Sequence, residues 1–352
     1  MNPLNKYIIG ECKEMCPLSE IKLRERENLL HIFEIFPGTE SQQKPKADKS
    51  RVVKSFSRST VGKKMQDPQF LRPPDVLLRT VSYLLDDIVS KKDFSWTIIY
   101  DFVMDRLRSV RQDMIIQNLP VAHSICILQP IVRFHAYAAY RLCEEPQHLF
   151  DPVINTSHLQ ECLKRLLTMY DDCCTNNIDE DMLVRHLKDV RPEFEAMYIL
   201  LNLGNSTALT RALRLPTLWR TSIVRISIDL SLNYLHNNFV RVCRMMKELQ
   251  SPLLAAVTSL HLPEIRRKAL KIMSTAYNCK NLTFPLETLQ EILIYDDSEH
   301  IARDCEYYGL KCESNVSFIK NDFLLNKTVL SPAHVQFVDN EFSKRSISNL
   351  IL

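Results

Sequence analysis

Glycine is scarce in this 352-residue chain: only 5 occur, Gly10, Gly38, Gly62, Gly204 and Gly309, and no two lie close together. A loop that cradles a phosphate needs clustered glycines so that backbone N–H groups can close on the anion. Neither a P-loop nor a dinucleotide fingerprint can be built from this set, which argues against an ATPase, a kinase or a Rossmann enzyme. Long apolar runs are also missing. No stretch reaches the ~18 residues of a membrane helix, so no membrane partner is expected. The opening residues MNPLNKYIIGECKEM lack the basic and long apolar regions of a signal peptide. No HExxH, GxSxG or paired-carboxylate pattern occurs, and the ten histidines are dispersed. The pairs Asp86-Asp87, Asp171-Asp172 and Asp296-Asp297 fall at expected helix ends, where solvated acids are common, so none is assigned an acid–base role. No enzyme activity and no cofactor are expected.

The 11 cysteines are odd in number and scattered over apolar positions, a pattern of reduced thiols more than of a disulfide framework. Cys12, Cys16 and His31 could offer three zinc ligands, but a C-x3-C pair is looser than the usual C-x2-C, and the next cysteine is Cys126. Packing of a helix entrance is the preferred reading, and no metal is expected. The adjacent Cys173 and Cys174 read as small buried hydrophobes near a helix end.

What the chain does have is helical periodicity. Apolar residues make up 45% and charged residues 25%, ordinary for a folded protein with a sizeable core. Pro17 can open a helix whose apolar face is Leu18, Ile21, Leu29, Ile32, Phe33 and Phe36, ended by Pro37-Gly38. Pro73-Pro74 opens another, with core stripe Val76, Leu77, Val81, Leu84, Leu85 and Ile88. Residues 94–117 form a third, with Phe102 and Leu107 inward and Asp105, Arg106, Arg108, Arg111 and Asp113 on a charged outer face. Helices of ~12–20 residues broken at Pro130, Pro192, Pro216, Pro252 and Pro263 then suggest a stacked helical array. Strand signals are almost absent before residue 310. After it, Leu310–Glu313 and Val316–Ile319 alternate around Ser314-Asn315 as a hairpin. Three short helices plus a β-ribbon make a winged-helix module. The fold class is therefore all-α, a stacked helical-repeat (TPR/PCI-like) array ending in a small winged helix. The expected divisions are 1–36, a first motif and helix; 37–72, a basic arm; 73–261, the array; 262–325, the winged helix; and 326–352, a tail that packs back in part.

Net charge is only +3, but it is unevenly placed. Residues 44–72 hold nine Lys and Arg against two Asp, and 211–271 hold eleven against three acids. Residues 280–313 reverse this, with three against eight. The basic tract Arg51, Lys54, Arg58, Lys63, Lys64 and Arg72 interleaves with Phe56 and Phe70. Cations neutralise phosphates and aromatics stack on unpaired bases, so the tract is a candidate for single-stranded RNA without sequence preference, or for an acidic partner. The bland alternative is a loop whose arginines cap neighbouring helices. Arg241, Arg244 and Lys247 share a drifting helix face, and Arg266, Arg267, Lys268 and Lys271 cluster at the start of the winged helix. These are further candidates, against the alternative of solvated faces. The third helix of that module carries Glu299, Asp304 and Glu306 against Arg303, the wrong sign for a major-groove reader, so it reads as a protein-docking wing.

Several motifs occur together. Gly10, Cys12, Met15, Cys16 and Pro17 form G-x-C-x-x-M-C-P, followed by Leu30, His31 and Glu34. Val53, Lys54, Phe56, Ser57, Arg58, Gly62 and Lys63 follow a V-K-x-[YF]-S-R-x-x-A-G-K pattern, with Val61 where alanine is usual. Leu71, Arg72, Pro73, Pro74, Val76 and Leu77 give L-R-P-P-x-V-L. The helix HNNFVRVCRMM (His236–Met246) and the segment Phe284–Leu310 match further along. Over about residues 10–325 the chain resembles the Sac-three/GANP family of helical mRNA-export scaffolds. The resemblance implies a non-enzymatic scaffold with protein partners of a PCI-type complex, in nucleus and cytoplasm. In size and tail the chain is similar to the short animal form, which implies a role at the centrosome and spindle. The competing reading is a PCI-type subunit of a proteasome-lid or translation-initiation-like assembly without RNA binding.

Overall fold

The computed structural model describes residues 8–58, 66–175 and 189–352. They are helical apart from a small sheet, and they form two compact units. The first comprises Met1–Phe134, Thr168–Leu187 and Ile347–Leu352, the second His135–Leu167 and Lys188–Ser346.

In the first unit the expected helix through Phe36 is two pieces: α1 (Leu18–Arg26) and a 3-10 turn at Ile32–Glu34. Asn28 breaks it by taking φ 55°, a left-handed conformation that asparagine tolerates better than most residues. Ile21 and Phe33 are buried, whereas Leu18, Leu29, Ile32 and Phe36 are exposed, a correction to the continuous apolar face. Part of the arm is also more ordered than a loop. Val52 and Val53 are fully buried, and Val52 joins Cys16 and Ile21 in a small apolar cluster.

Pro73 caps α2 (Pro74–Ser82), and Pro74 stands in its first turn, where a missing N–H costs nothing. The expected stripe from Val76 to Ile88 is buried, but Tyr83–Ile88 is wound as a π-helix. The Ser95 side chain accepts from Thr97 N and so starts α3 (Trp96–Ile116). Here the charged outer face is corrected. Arg106 and Arg111 are buried, and Asp113 is wholly so.

Helices α4 (Val121–Arg141) and α5 (Pro152–Thr175) contribute residues to both units. Pro130 does not break α4. Almost every residue from Ser124 to Tyr140 is buried, and that packing outweighs the single hydrogen bond a proline removes. In the second unit come α6 (Arg191–Leu201), α7 (Ser206–Arg214), α8 (Ser222–Leu235), α9 (Phe239–Lys247) and α10 (Pro252–Ser259). Pro192, Pro252 and Pro263 lie in first helical turns, so these prolines start helices. Successive helices pack on one another: α6 on α8, α8 on α9 and α10 back on α6. Ile199, Leu209, Ala212, Leu215, Val224 and Ile228 fill one of these interfaces, with Trp219 against them.

The array ends in a winged helix: α11 (Leu262–Ala276), β1 (Phe284–Pro285), α12 (Leu286–Leu293), α13 (Ser298–Tyr307), β2 (Lys311–Cys312) and β3 (Asn315–Ser317). The hairpin β2–β3 is antiparallel, with Cys312 opposite Val316. The sequence did not reveal β1, which pairs Phe284 with the same Val316 and makes a three-stranded sheet of order β1-β3-β2. Gly309 closes α13 at φ 84°, and a Cβ there would fall 2.4 Å from Asp322 O. The tail packs back. Val335 N donates to Tyr140 Oη at 2.8 Å, and Phe342 of α14 (Gln336–Ser343) meets Tyr137 and Tyr140. In the first unit, Ser348 of α15 (Ile347–Ile351) bonds Ser90 at 3.2 Å.

Leu77, Leu84 and Leu107 are fully buried and Phe102 nearly so, its ring 5.3 Å from Phe33 and 4.6 Å from His31. Replacing Phe102 with alanine is expected to destabilise by about 3–5 kcal/mol. Denaturant titration checks this, and a loss below ~1 kcal/mol would show that α3 is peripheral.

Candidate functional site

An extended segment with no ladder partner must find other partners for its backbone. The arm finds them in side chains. Val53 N donates to Glu34 Oε1 at 3.1 Å, and Val53 O accepts from Arg24 Nη1 at 3.1 Å. Lys54 N donates to Met15 O at 3.0 Å, Ser55 N to Glu20 Oε1 at 2.9 Å and Phe56 N to Asp105 Oδ2 at 3.2 Å. Gln112 Nε2 then donates to Ser57 O at 2.9 Å. Residues 53–57 are therefore held on α1, the 3-10 turn and α3 much as a bound peptide would be.

Two buried carboxylates organise this clasp. Glu34 is fully buried and pairs with Arg24 and, at 3.2 Å, with Arg106. Asp113, equally buried, takes Lys54 Nζ and Arg72 Nε, each at 2.7 Å. Arg72 also donates to Ser109 Oγ at 2.9 Å and Met15 O at 3.4 Å. Gln117 completes the set: its Nε2 donates to Arg72 O and its Oε1 accepts from Gly10 N, both at 2.8 Å. Gly10 is required by space, because a Cβ there would lie 2.3 Å from Leu71 O. The backbone of Glu11 and Cys12 runs along that strip, donating to Pro68 O at 2.8 Å and Leu71 O at 3.0 Å.

The cysteines of the first motif serve packing. Cys16 is fully buried in the Ile21–Val52 cluster, and burial pushes its thiol well above the usual range. Burial also raises the Cys12 thiol, which donates to Glu14 O at 3.3 Å. His31 Nδ1 accepts from Phe33 N at 3.3 Å while Glu34 bonds back to His31 N, a capping box. Burial lowers the His31 pKa to about 4, with Arg106 and Arg24 acting the same way and Glu34 opposing them.

The candidate cations of the second unit divide. Arg266 donates to the last carbonyls of α12, Leu293 O at 3.1 Å and Ile294 O, and stacks 3.8 Å over Tyr295. Arg267 donates to Leu325 O at 3.0 Å. Lys268 pairs with Glu264 at 2.8 Å and donates to Tyr234 Oη at 2.7 Å. These three side chains hold the module together. Arg241, Arg244, Lys247 and Lys271 are exposed and make no ion pair among the described residues. Exposed carboxylates of opposite sign, Glu299 and Glu306, lie on α13.

The SAC3/GANP family model matches residues 15–314. The chain belongs to the SAC3/GANP family. It is 30% identical to SAC3 family protein 1 of Schizosaccharomyces pombe over 338 residues, which cover 91% of this chain and 31% of that protein. It is 28% identical to Protein xmas of Drosophila melanogaster, covering 86% of this chain and 14% of that protein. It is 26% identical to SAC3 family protein B of Arabidopsis thaliana, covering 91% and 19% respectively. The chain thus spans a third or less of the length of these relatives.

Within this SAC3/GANP chain the motif residues Cys12, Met15, Cys16, Pro17, Arg72, Pro73 and Pro74 line the clasp or start its helices. Lys54 points inward at Asp113 and at Phe70 O, 2.7 Å away, so it is not part of an outward basic face. Arg51 is exposed beside Asp48 at 3.4 Å, and Arg58 is exposed. Lys63 and Lys64 lie outside the described residues. Arg24, Arg106 and Gln117 were not singled out as site residues. For Arg106 and Gln117 a signal was available, since residues 102, 106, 109, 113 and 117 share a helical face with buried Phe102.

Replacing Asp113 with alanine leaves the Arg72 guanidinium buried without its carboxylate. The expected loss is about 3–5 kcal/mol, read by urea unfolding, and a loss below ~1 kcal/mol would show that the pair is dispensable. For His31 the folded pKa is below the unfolded one, so the folded state resists protonation. Its contribution is present above pH ~6.5 and is lost as pH falls towards about 4. Thermal midpoints between pH 8 and pH 4 should fall less in His31→Phe than in the parent. Parallel curves would contradict this assignment.

Proposed function

We propose that this chain is a non-enzymatic scaffold acting in nuclear mRNA export and RNP handling, and in centrosome duplication and spindle assembly, in nucleus and cytoplasm. The observation that carries the reading is the pairing of two exposed surfaces of opposite sign in the second unit. Arg241, Arg244, Lys247 and Lys271 offer unpaired cations on α9 and α11, and α13 offers carboxylates. Unpaired cations on a rigid helix suit the phosphates of single-stranded RNA, read without sequence preference. An acidic third helix in a winged helix suits a protein surface, because a duplex groove would repel it. Family membership supports the scaffold role, and the motif side chains that hold backbone in place leave the surface charge as the means of contact.

Affinity purification from nuclear extract, scored for mRNA-export subunits against proteasome-lid subunits, tests the assembly. Recovery of lid subunits alone would overturn it. Imaging of the tagged chain through mitosis tests the centrosomal role, and absence from spindle poles would remove it. For RNA, titration of a labelled oligonucleotide should show weak binding that falls with salt. The triple reversal Arg241→Glu, Arg244→Glu and Lys271→Glu should flatten the log–log salt slope by about 2. An unchanged slope would mean that these cations are merely solvated.

A further inference from the structure

Phe56 sits at the surface of the first unit, half-buried, and none of the carboxylate clasps uses its ring. The Arg108 guanidinium lies over that ring with Cζ 3.9 Å from its centroid, well within the reach of a cation–π contact. The ring is held in place. Phe56 N is fixed by Asp105 and the carbonyl of Ser57 by Gln112, both from α3, the helix that carries Arg108. The charge of Asp105 is answered by Arg106. Arg108 makes no ion pair among the described residues, and neither does the exposed Arg58 two residues along the arm. The result is a preorganised aromatic–guanidinium platform with a second free guanidinium on the same segment.

We propose that Phe56, Arg108 and Arg58 form a subsite for one unpaired nucleotide of single-stranded RNA. This rests on the RNA-handling reading above. The base stacks on the Phe56–Arg108 platform, and the adjoining phosphate meets Arg58. Guanidinium planes and aromatic rings both accept bases by stacking, and every base has a face to offer, so the subsite is indifferent to sequence. A duplex keeps its bases stacked on each other and cannot use the platform. An acidic peptide would pair with the arginines but would gain nothing from the ring. The ring and the plane of Arg108 therefore distinguish a nucleotide from a mere anion.

Anisotropy titration of the full chain with a labelled twelve-residue oligouridine at low salt tests this. Phe56→Leu and Arg108→Lys, which keep bulk and charge but remove ring and plane, should each weaken binding about tenfold. Phe56→Tyr should bind as the parent does. Duplex RNA of equal length should be indifferent to all three. Photo-crosslinking of the unaltered chain to 4-thiouridine RNA supplies a readout independent of folding, and the mapped peptides should contain Phe56–Arg58 or Arg108. Parent-like binding by Phe56→Leu and Arg108→Lys, with loss on reversal of Arg241 and Arg244, would overturn the subsite and leave the RNA reading standing. Crosslinks confined to α9 and α11 would do the same. Equal competition by polyglutamate in parent and Phe56→Leu would reduce the subsite to a general anion patch and overturn it. No binding in any form would overturn both.

Discussion

A buried carboxylate held between two cations is the interaction on which this protein depends. It occurs three times among the described residues. Glu34 lies between Arg24 and Arg106, Asp113 between Arg72 and Lys54, and Glu195 between Arg191 and Arg211, each of the last two at 2.9 Å. All three carboxylates are almost wholly removed from water. Burying such charges is costly, and a single partner rarely offsets the desolvation. Two cations around one carboxylate do offset it, provided the geometry is held, and backbone N–H groups add to this at Glu34, from His31 and Val53, and at Asp113, from Arg72. Such clusters therefore act less as sources of net stability than as fixed points of registration. A shifted arm or a slipped helix would strand a charge inside the protein.

Registration explains why the motifs read as they do. Arg72 has to reach Asp113, Ser109 and the carbonyl of Met15 together, and only the fork of a guanidinium offers donors in those three directions. The two prolines after it start α2 and so fix where the fork is anchored. Gly10 allows the N-terminal backbone to lie against Leu71 and hand its N–H to Gln117. Residues far apart in the chain, from 10 to 117, meet in one polar core. That core lets a short, polar arm take a single extended path without a strand beside it.

After residue 73 the helices, their apolar stripes and the winged-helix order could be read from the sequence, because each is a local periodicity: Leu77, Leu84, Phe102 and Leu107 fall where 3.6-residue spacing puts them. The misreadings share a cause. Arg106, Arg111 and Asp113 look like a solvated face when charge is taken as a sign of exposure, yet Arg106 and Asp113 occupy the same helical face as Phe102. A charge can lie on a core face when its partner comes from a distant segment, and no local pattern carries that information. The left-handed turn at Asn28, the passage of α4 through Pro130 and the two-residue strand β1 failed to show for the related reason that tertiary packing decided them. Of the site, the basic residues were legible, but their division into structural and free was not. Arg266 and Arg267 sit beside Lys271 in sequence, and only the positions of Leu293, Ile294 and Leu325 tell them apart.

That division bears on how a scaffold of this kind can present charge. A flexible arm rich in Lys and Arg would bind phosphates, but it would lose conformational entropy on doing so and its aromatics would seldom be in place. Here the ordering is done during folding. Lys54 and Arg72 give up their availability to Asp113, and in return the backbone from Val53 to Ser57 is fixed and Phe56 is set under Arg108. The inward cations hold the arm so that the outward ones have a defined position. Weakening the buried pair should therefore act on the surface at a distance, through loss of order in the arm and with no change in surface charge. In the first unit the polar core and the proposed nucleotide subsite are two sides of one short segment.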